Sequence, residues 1–339
     1  MDVLLGKTLT ELQEVAVSVG LQKFAGKQLA QWLYVQRVTS IDEMTNISLK
    51  GREALKANYT VGRHAPVREA VSVDGTRKYL FAVGEQFVES VYIPEEDRAT
   101  LCVSTQAGCK MGCKFCMTGT LGFHGHLSAA DILNQIFYFD DLSNIVFMGE
   151  GEPMDNIDNV LRSLEIMTAE YGCAWSPKRI TVSTVGIPAM KRFLEESECH
   201  LAVSMHNPFV SERAQIMPAE KMMSITQVVD LIKQYDWSHQ RRVSFEYICW
   251  AGQNDTPRHA KEIKRLLRGL NCRINLIRFH EGVEEIKPSS NTQIFKPSDE
   301  KQMEWFRDYL TENGITTTIR RSRGEDILAA CGMLVNSLQ

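Results

Sequence analysis

From about residue 99 onward, short apolar runs of strand character alternate with longer segments of helical periodicity, and this alternation restricts the possible folds most. Strand candidates fall at 100–104, 144–148, 179–183, 201–205, 242–249, 273–278 and 316–320. Helical segments lie between them, near 128–139, 157–170, 188–196, 222–235, 257–269 and 299–313. Ser128-Ala-Ala-Asp131 has the form of a capping box, with Asp in place of Glu or Gln. Strands joined by helices run parallel, because each helix carries the chain back to the edge where the next strand starts. Six complete strand–helix units fall short of the eight in a closed barrel. The expected fold class is α/β, a partial (β/α)6 barrel, with a doubly wound open sheet as the alternative. In either fold, ligands sit at the C-terminal ends of the strands.

Upstream, residues 1–65 read as a small helical accessory domain. Leu9, Leu12, Val15, Ala16 and Val19 follow helical spacing, and Gly20 stands where a C-terminal glycine cap belongs. A second helix is expected over 25–36, burying Leu29, Trp32, Leu33 and Val35, and a third over 49–57. Residues 66–98 change character. Segments 67–73 and 78–83 flank Asp74-Gly75 as strand, turn, strand, and 87–93 is a third strand candidate. This divides the chain into an accessory domain (1–65), a β-hairpin extension (66–98) and a core (99–339).

The chain has 339 residues, 44% of them hydrophobic, enough for one large core and a small second one. Its net charge of −4 excludes a uniformly basic nucleic-acid-binding surface. Binding of RNA must therefore use local patches. Residues 1–65 carry eight Lys and Arg against six Asp and Glu, and Lys23, Lys27, Lys50, Arg52 and Lys56 are candidates for such a patch, with an ordinary solvated helix face as the competing reading. No basic stretch followed by an apolar one opens the chain, and no apolar run approaches the ~20 residues of a membrane helix, so a cytoplasmic location without membrane contact is expected. Nine cysteines, unevenly spread, in a reducing compartment point to metal or catalysis before a disulfide scaffold.

The densest cysteine stretch is Cys109-Lys-Met-Gly-Cys113-Lys-Phe-Cys116, a C-x3-C-x2-C loop after the first core strand. Thiolates suit iron–sulfur clusters and zinc. A structural zinc site wants four protein ligands, often as two C-x2-C pairs, and no second pair is present. A redox C-x-x-C would leave Cys109 unexplained. Three thiolates can hold three irons of a cubane and leave the fourth open to a chelating cosubstrate. With Phe115 before its last cysteine, the loop resembles the C-x3-C-x-aromatic-C signature of the radical S-adenosylmethionine (SAM) superfamily. That resemblance implies a [4Fe-4S] cluster on Cys109, Cys113 and Cys116. Its open iron would take the amino and carboxylate groups of SAM, which is then cleaved reductively to a 5′-deoxyadenosyl radical.

Other strand ends carry matching residues. Gly149-Glu150-Gly151-Glu152-Pro153 follows the second strand, where glycines let backbone approach a ligand. It resembles the superfamily element for the SAM amino group, with Gly151 and Glu152 as the matching positions. Ser183 ends the third strand, and Ser204-Met205-His206 the fourth. Taken singly, such residues are more often caps or satisfied core groups. Three consecutive strand ends of this kind mark a pocket mouth.

The C-terminal run Arg320-Arg-Ser-Arg-Gly-Glu-Asp-Ile-Leu-Ala-Ala-Cys331-Gly-Met-Leu334 is a basic turn followed by one cysteine, which taken alone reads as a small buried hydrophobe. Read whole, it resembles the A-A-C-G-x-L ending of the RlmN/Cfr family of RNA adenine methyltransferases. So do Val88-Glu89-Ser-Val-Tyr-Ile-Pro94, Arg98-Ala-Thr-Leu-Cys102, Ile274-Asn-Leu-Ile277 and Ser289-Ser-Asn291. The resemblance implies two SAM molecules per turnover. One methylates Cys331. The other yields the radical that abstracts hydrogen from the S-methyl group, and the thiomethylene radical then adds to an adenine carbon. Glu89 matches the proton acceptor, and Cys102 the cysteine that resolves the RNA adduct through a disulfide with Cys331. Bonded sulfurs lie about 2.05 Å apart, so these two must be able to meet. At 280, where many members have a SAM-binding Asn, this chain has His280, whose imidazole can still form one such bond.

The stretch before Cys102 looks like the RlmN type, which implies methylation of carbon 2 in 23S rRNA and in tRNA beside the anticodon. Carbon 8, the Cfr reaction, is the alternative, and a non-catalytic metal-containing RNA-binding protein is another. Arg320, Arg321 and Arg323 are expected phosphate contacts. A monomer fed electrons by a donor such as flavodoxin completes the expectation.

Overall fold

The computed structural model describes residues 1–237, 241–280 and 295–334; the Ser289-Ser-Asn291 motif lies outside them. Its centre is a ten-stranded sheet. Seven of these strands, β6 (Ala99–Cys102), β9 (Asn144–Phe147), β10 (Ile180–Thr184), β11 (His200–Ser204), β12 (Val243–Cys249), β13 (Arg273–Arg278) and β14 (Thr316–Ile319), pair in parallel and in sequence order. No strand order reverses, so the doubly wound alternative, which needs a switch point, is excluded. Right-handed crossovers that always step the same way put the helices on one face and curl the sheet into a partial barrel. Ile145, Phe147, Val182, Leu201, Val203, Phe245, Ile274 and Leu276 are fully buried, as strands covered on both faces require.

The helices between these strands are α4 (Ala129–Phe137), α5 (Ile157–Thr168), α6 (Met190–Glu196), α7 (Val210–Ile216), α8 (Ile225–Ile232), α9 (Pro257–Leu266) and α10 (Glu300–Glu312). The Ser128–Asp131 capping box forms at the start of α4. The expected helix at 222–235 is shorter. The buried Arg213–Glu220 ion pair holds α7 and a 3-10 turn in front of it, and Glu220 also takes the Ile225 amide that opens α8. Among the described residues no helix is long and apolar enough to cross a membrane.

The sheet does not stop at residue 99. Strands β3 (Arg68–Val71), β4 (Arg77–Val83) and β5 (Gln86–Pro94) continue it as an antiparallel meander, with Val91 opposite Cys102. The N-terminal helices α1 (Leu9–Ser18), α2 (Ala25–Ala30) and α3 (Leu49–Asn58) form as the periodicity predicts, and Gly20 caps α1 at φ +79°. A capping box joins Thr8 to Glu11, whose carboxylate also takes Arg162 of α5 and so ties these helices to the core. The second helix differs from expectation: after Ala30 it widens into a π turn, Gln31–Val35. The wider turn rotates the following residues, so Tyr34 is buried and Val35 is 48% exposed. Two-residue strands β1 (Asp2–Val3) and β2 (Tyr59–Thr60) pair in parallel, a ladder too short to leave a periodic signal.

Candidate active site

At the C-terminal ends of the parallel strands a pocket is lined by Cys109, Cys113, Cys116, Gly151, Glu152, Ser183, Ser204, His206, Glu246, Arg320 and Cys331. The cysteine loop is held by a hairpin that the sequence did not reveal, β7 (Gln106–Gly108) against β8 (Phe123–His126). Gly108 has φ +68°, and a Cβ there would lie 1.9 Å from the Gly122 carbonyl oxygen, so only glycine permits the pinch. The Cys109 amide donates to that same oxygen at 2.8 Å, and Cys116 donates to the Cys113 carbonyl at 3.2 Å. The loop also meets the C-terminal segment: Met117 N–H donates to the Gly332 carbonyl at 2.8 Å.

Burial pushes the Cys109 thiol up to about 12 and raises Cys113 and Cys116 as well, with neighbouring thiols adding to the effect at Cys109 and Cys113. Such thiols ionise when a bound cation compensates them. Among the described residues no three Cys, His, Asp or Glu groups converge on a single-ion site. Three thiols around one pocket, not focused on one point, fit the separate corners of a polynuclear cluster better than one zinc.

Behind the loop, Gly151 sits at φ +95°, with a Cβ position 2.5 Å from that of Gln106. The Glu152 carboxylate accepts from the Val185 amide at 2.8 Å and the Met154 amide at 3.1 Å. Even so, burial pushes it up to about 7. A buried carboxylate so poised suits a cationic ligand group such as an ammonium. Glu150, which the sequence reading left without a role, is a brace: one carboxylate oxygen takes the Glu89 amide at 2.7 Å and the other the Gly108 amide at 3.3 Å.

The expected residues at the strand ends are held in different ways. The Ser183 hydroxyl donates to the Phe147 carbonyl at 2.7 Å. His206 lines the pocket as a buried, neutral ring, lowered to about 3 by desolvation; its Nδ1 accepts from Ile248 N–H and its edge meets Phe115 at 4.7 Å. The Met205 side chain turns into the core, because it alternates with Ser204 across the sheet. His280 is not among the residues lining this pocket, and its Nε2 bonds Ser322 Oγ at 2.7 Å. Glu89 is buried beside a different cavity, lined also by Lys78, Asp326, Ile327 and Leu328.

The comparisons with known proteins agree with this geometry. Residues 3–61 match the model of the ribosomal RNA large subunit methyltransferase N-terminal domain, and residues 103–267 that of the radical SAM superfamily. A Bacteroides thetaiotaomicron protein named "Probable dual-specificity RNA methyltransferase RlmN" is 58% identical, the alignment covering 99% of this chain and 96% of that protein. "Dual-specificity RNA methyltransferase RlmN" of Syntrophobacter fumaroxidans is 38% identical over 97% and 96% of the two chains. The chain belongs to the RlmN family. The crystal structure of a radical SAM methyltransferase from Sphaerobacter thermophilus superposes with a TM-score of 0.90 at 35% identity, covering 99% of this chain and all of that one.

As a radical SAM methyltransferase of the RlmN family, the protein uses a [4Fe-4S] cluster and SAM. Its C-terminal cysteine sits apart from the loop cysteines in sequence yet shares their pocket. Cys331 is exposed to that pocket, and its thiol is raised by desolvation against the pull of Arg320. Cys102, pushed up to about 12 by burial, lies close enough to Cys331 for the two thiols to influence each other. It packs with Val91, Ile93 and Ile327 against the C-terminal segment. Neither cysteine is in a disulfide. Glu246 is a charged pocket residue that the sequence reading missed, though a charged side chain within the apolar run 243–249 was the available signal.

Proposed function

We propose that this RlmN-family enzyme methylates carbon 2 of an adenosine in the peptidyl-transferase region of 23S rRNA, and of the adenosine 3′ to certain tRNA anticodons, through an S-methyl group on Cys331. One observation carries the reading: Cys331 lines the same pocket as the three loop cysteines and Glu152. When bound, the cluster supplies an electron to SAM and hence a carbon radical able to abstract hydrogen from a methyl group. Cys109, Cys113 and Cys116 would hold it, leaving one corner for SAM. Gly151 lets backbone approach the cosubstrate, and Glu152 accepts its ammonium. An sp2 ring carbon is too poor a nucleophile to take a methyl cation directly, so a carrier thiol within the radical's reach answers the chemistry. Cys102, beside the same segment, is the resolving thiol, and Glu89 the proton acceptor.

The target base must leave its stack to enter this pocket. Arg321 is exposed at the C-terminal turn and is the candidate phosphate contact there. Lys23, Lys27 and Lys50 are exposed on the N-terminal helices and form the candidate docking patch, whereas Lys56 is engaged with Asp42 and Glu53. A donor of the flavodoxin type would supply electrons.

The test is mass spectrometry of 23S rRNA and tRNA from a deletion strain complemented with the wild-type gene or with Cys331→Ala. Restoration of 2-methyladenosine by the wild type alone is expected. Methylation at carbon 8, or full restoration by the alanine variant, overturns the reading.

A further inference from the structure

Arg320 follows the last parallel strand, with its amide on the Leu276 carbonyl at 2.8 Å. Its side chain stays 37% exposed, so the guanidinium stands at the pocket mouth and not in the core. It enters the cluster pocket, where Nη1 lies 3.8 Å from Met148 Sδ and Nε 3.7 Å from a carboxylate oxygen of Glu246. That oxygen is buried and has no hydrogen bond, while the other accepts from Asn275 at 2.8 Å and Ser244 at 3.1 Å. Glu246 is thus fixed by its neighbours and holds Arg320 by charge. The guanidinium lines the same pocket as the Cys331 thiol, and its charge acts on both Cys331 and Cys102. The groups whose charge acts on Cys331 are Arg320 from the end of β14, Glu246 from β12 and Cys102 from β6, and Cys109, Cys113 and Cys116 of the cysteine loop, Glu152 and His206 line the same pocket.

We propose that Arg320 is the positioning residue that makes Cys331 a nucleophile, supplying the cation beside its thiolate, with Glu246 setting the orientation of the guanidinium. This rests on the reading of Cys331 as methyl carrier. In the step concerned, the Cys331 proton passes to solvent and the thiolate sulfur bonds the methyl carbon of a sulfonium. The methyl–sulfonium bond breaks, leaving its electron pair on sulfur as a neutral thioether. A thiolate is the attacking species, and desolvation alone works against it. Arg320 is the nearby cation that offsets this cost. Because it also faces Cys102, one guanidinium serves both thiols.

The test is the rate at which iodoacetamide alkylates Cys331 between pH 6 and 10, mapped by peptide mass spectrometry on the anaerobically reconstituted full-length protein. Arg320→Gln is expected to shift the pH profile upward and slow Cys331 alkylation about tenfold at pH 7.5, one tenfold step in thiolate fraction. Cys102 should slow in parallel. Arg320→Lys, which keeps the charge, should recover most of the rate, with iron content and SAM affinity close to wild type. A merely structural role would leave the pH midpoint unmoved while altering access. An unshifted profile in Arg320→Gln overturns the proposal. If that variant loses its cluster, the lysine variant decides: a profile near wild type supports the proposal, and one shifted upward as far as expected for glutamine refutes it. The carrier reading fails separately, through methyl transfer by Cys331→Ala.

Discussion

Lys78 Nζ lies 2.9 Å from a carboxylate oxygen of Glu89, and the two side chains are only 8% and 2% exposed. They are diagonal neighbours on the β4–β5 pair and wall a cavity whose other side is the C-terminal segment at 326–328. Removing one member leaves the other charged and buried. Lys78→Met is expected to lower stability by about 3–5 kcal/mol in urea unfolding, with Lys78→Met/Glu89→Gln recovering part of it. Equal stability of wild type and the single variant would show that the pair is not buried in solution.

Glu152 is expected to govern the pH dependence of cosubstrate binding. Burial holds its carboxyl near pH 7 in the free protein, above the ordinary 4.5. An ammonium bound beside it favours the ionised form. Binding should therefore be strongest above pH 7 and weaken as pH falls below it, when Glu152 takes up a proton. Glu152→Gln should bind SAM about tenfold or more weakly at pH 8 and lose this dependence, as measured by calorimetry. A Gln variant with the wild-type pH profile would assign the titration elsewhere.

Cluster assembly is expected to depend on the three loop thiols together. Anaerobic reconstitution should give brown protein with about four irons per chain, because three thiolates on one loop hold a cubane. Cys113→Ala should lose most of the absorbance near 400 nm and abolish reductive SAM cleavage. Stoichiometric zinc in the wild type, with no colour, would contradict the cluster assignment.

Asp74 and Asp326 fasten the Cys331 segment to the hairpin. Asp326 accepts from Ser72 Oγ at 2.5 Å and Val73 N–H at 3.1 Å; Asp74 accepts from Gly324 N–H at 3.1 Å. Burial would raise the Asp74 carboxyl, but hydrogen bonds from Thr76, Gly324 and Ser72 pull it down to about 2 from an ordinary 3.8. A depressed carboxylate contributes stability above pH 3.8 that is lost as pH falls toward 2. Asp74→Asn should speed amide exchange at residues 324–330 about fivefold at neutral pH, since one hydrogen bond is worth about 1 kcal/mol. Unchanged exchange would mean that the segment is held by packing alone.

The sequence by itself determined the parallel core, the order of its strands, the cysteine loop and the polar residues at the strand ends. These are local signals: apolar runs, helical periodicity, spacing over a few residues. It also singled out Cys331 as a candidate, through the resemblance its motif carries. What it could not decide is how residues far apart in the chain face one another. Arg320 reads as one of three basic residues in a turn, yet the sheet carries it to Glu246 and Cys331. His280 reads as a ligand from a local motif, and its partner Ser322 lies 42 positions further along the chain. Glu89 reads as a proton acceptor through the family resemblance, and only the fold shows that it is half of a buried ion pair with Lys78. The extension at 66–98 reads as an appendage, yet β5 hydrogen-bonds to β6 and lengthens the core sheet. Such relationships depend on strand register and on the desolvation of charged groups, and both exist only once the sheet has formed.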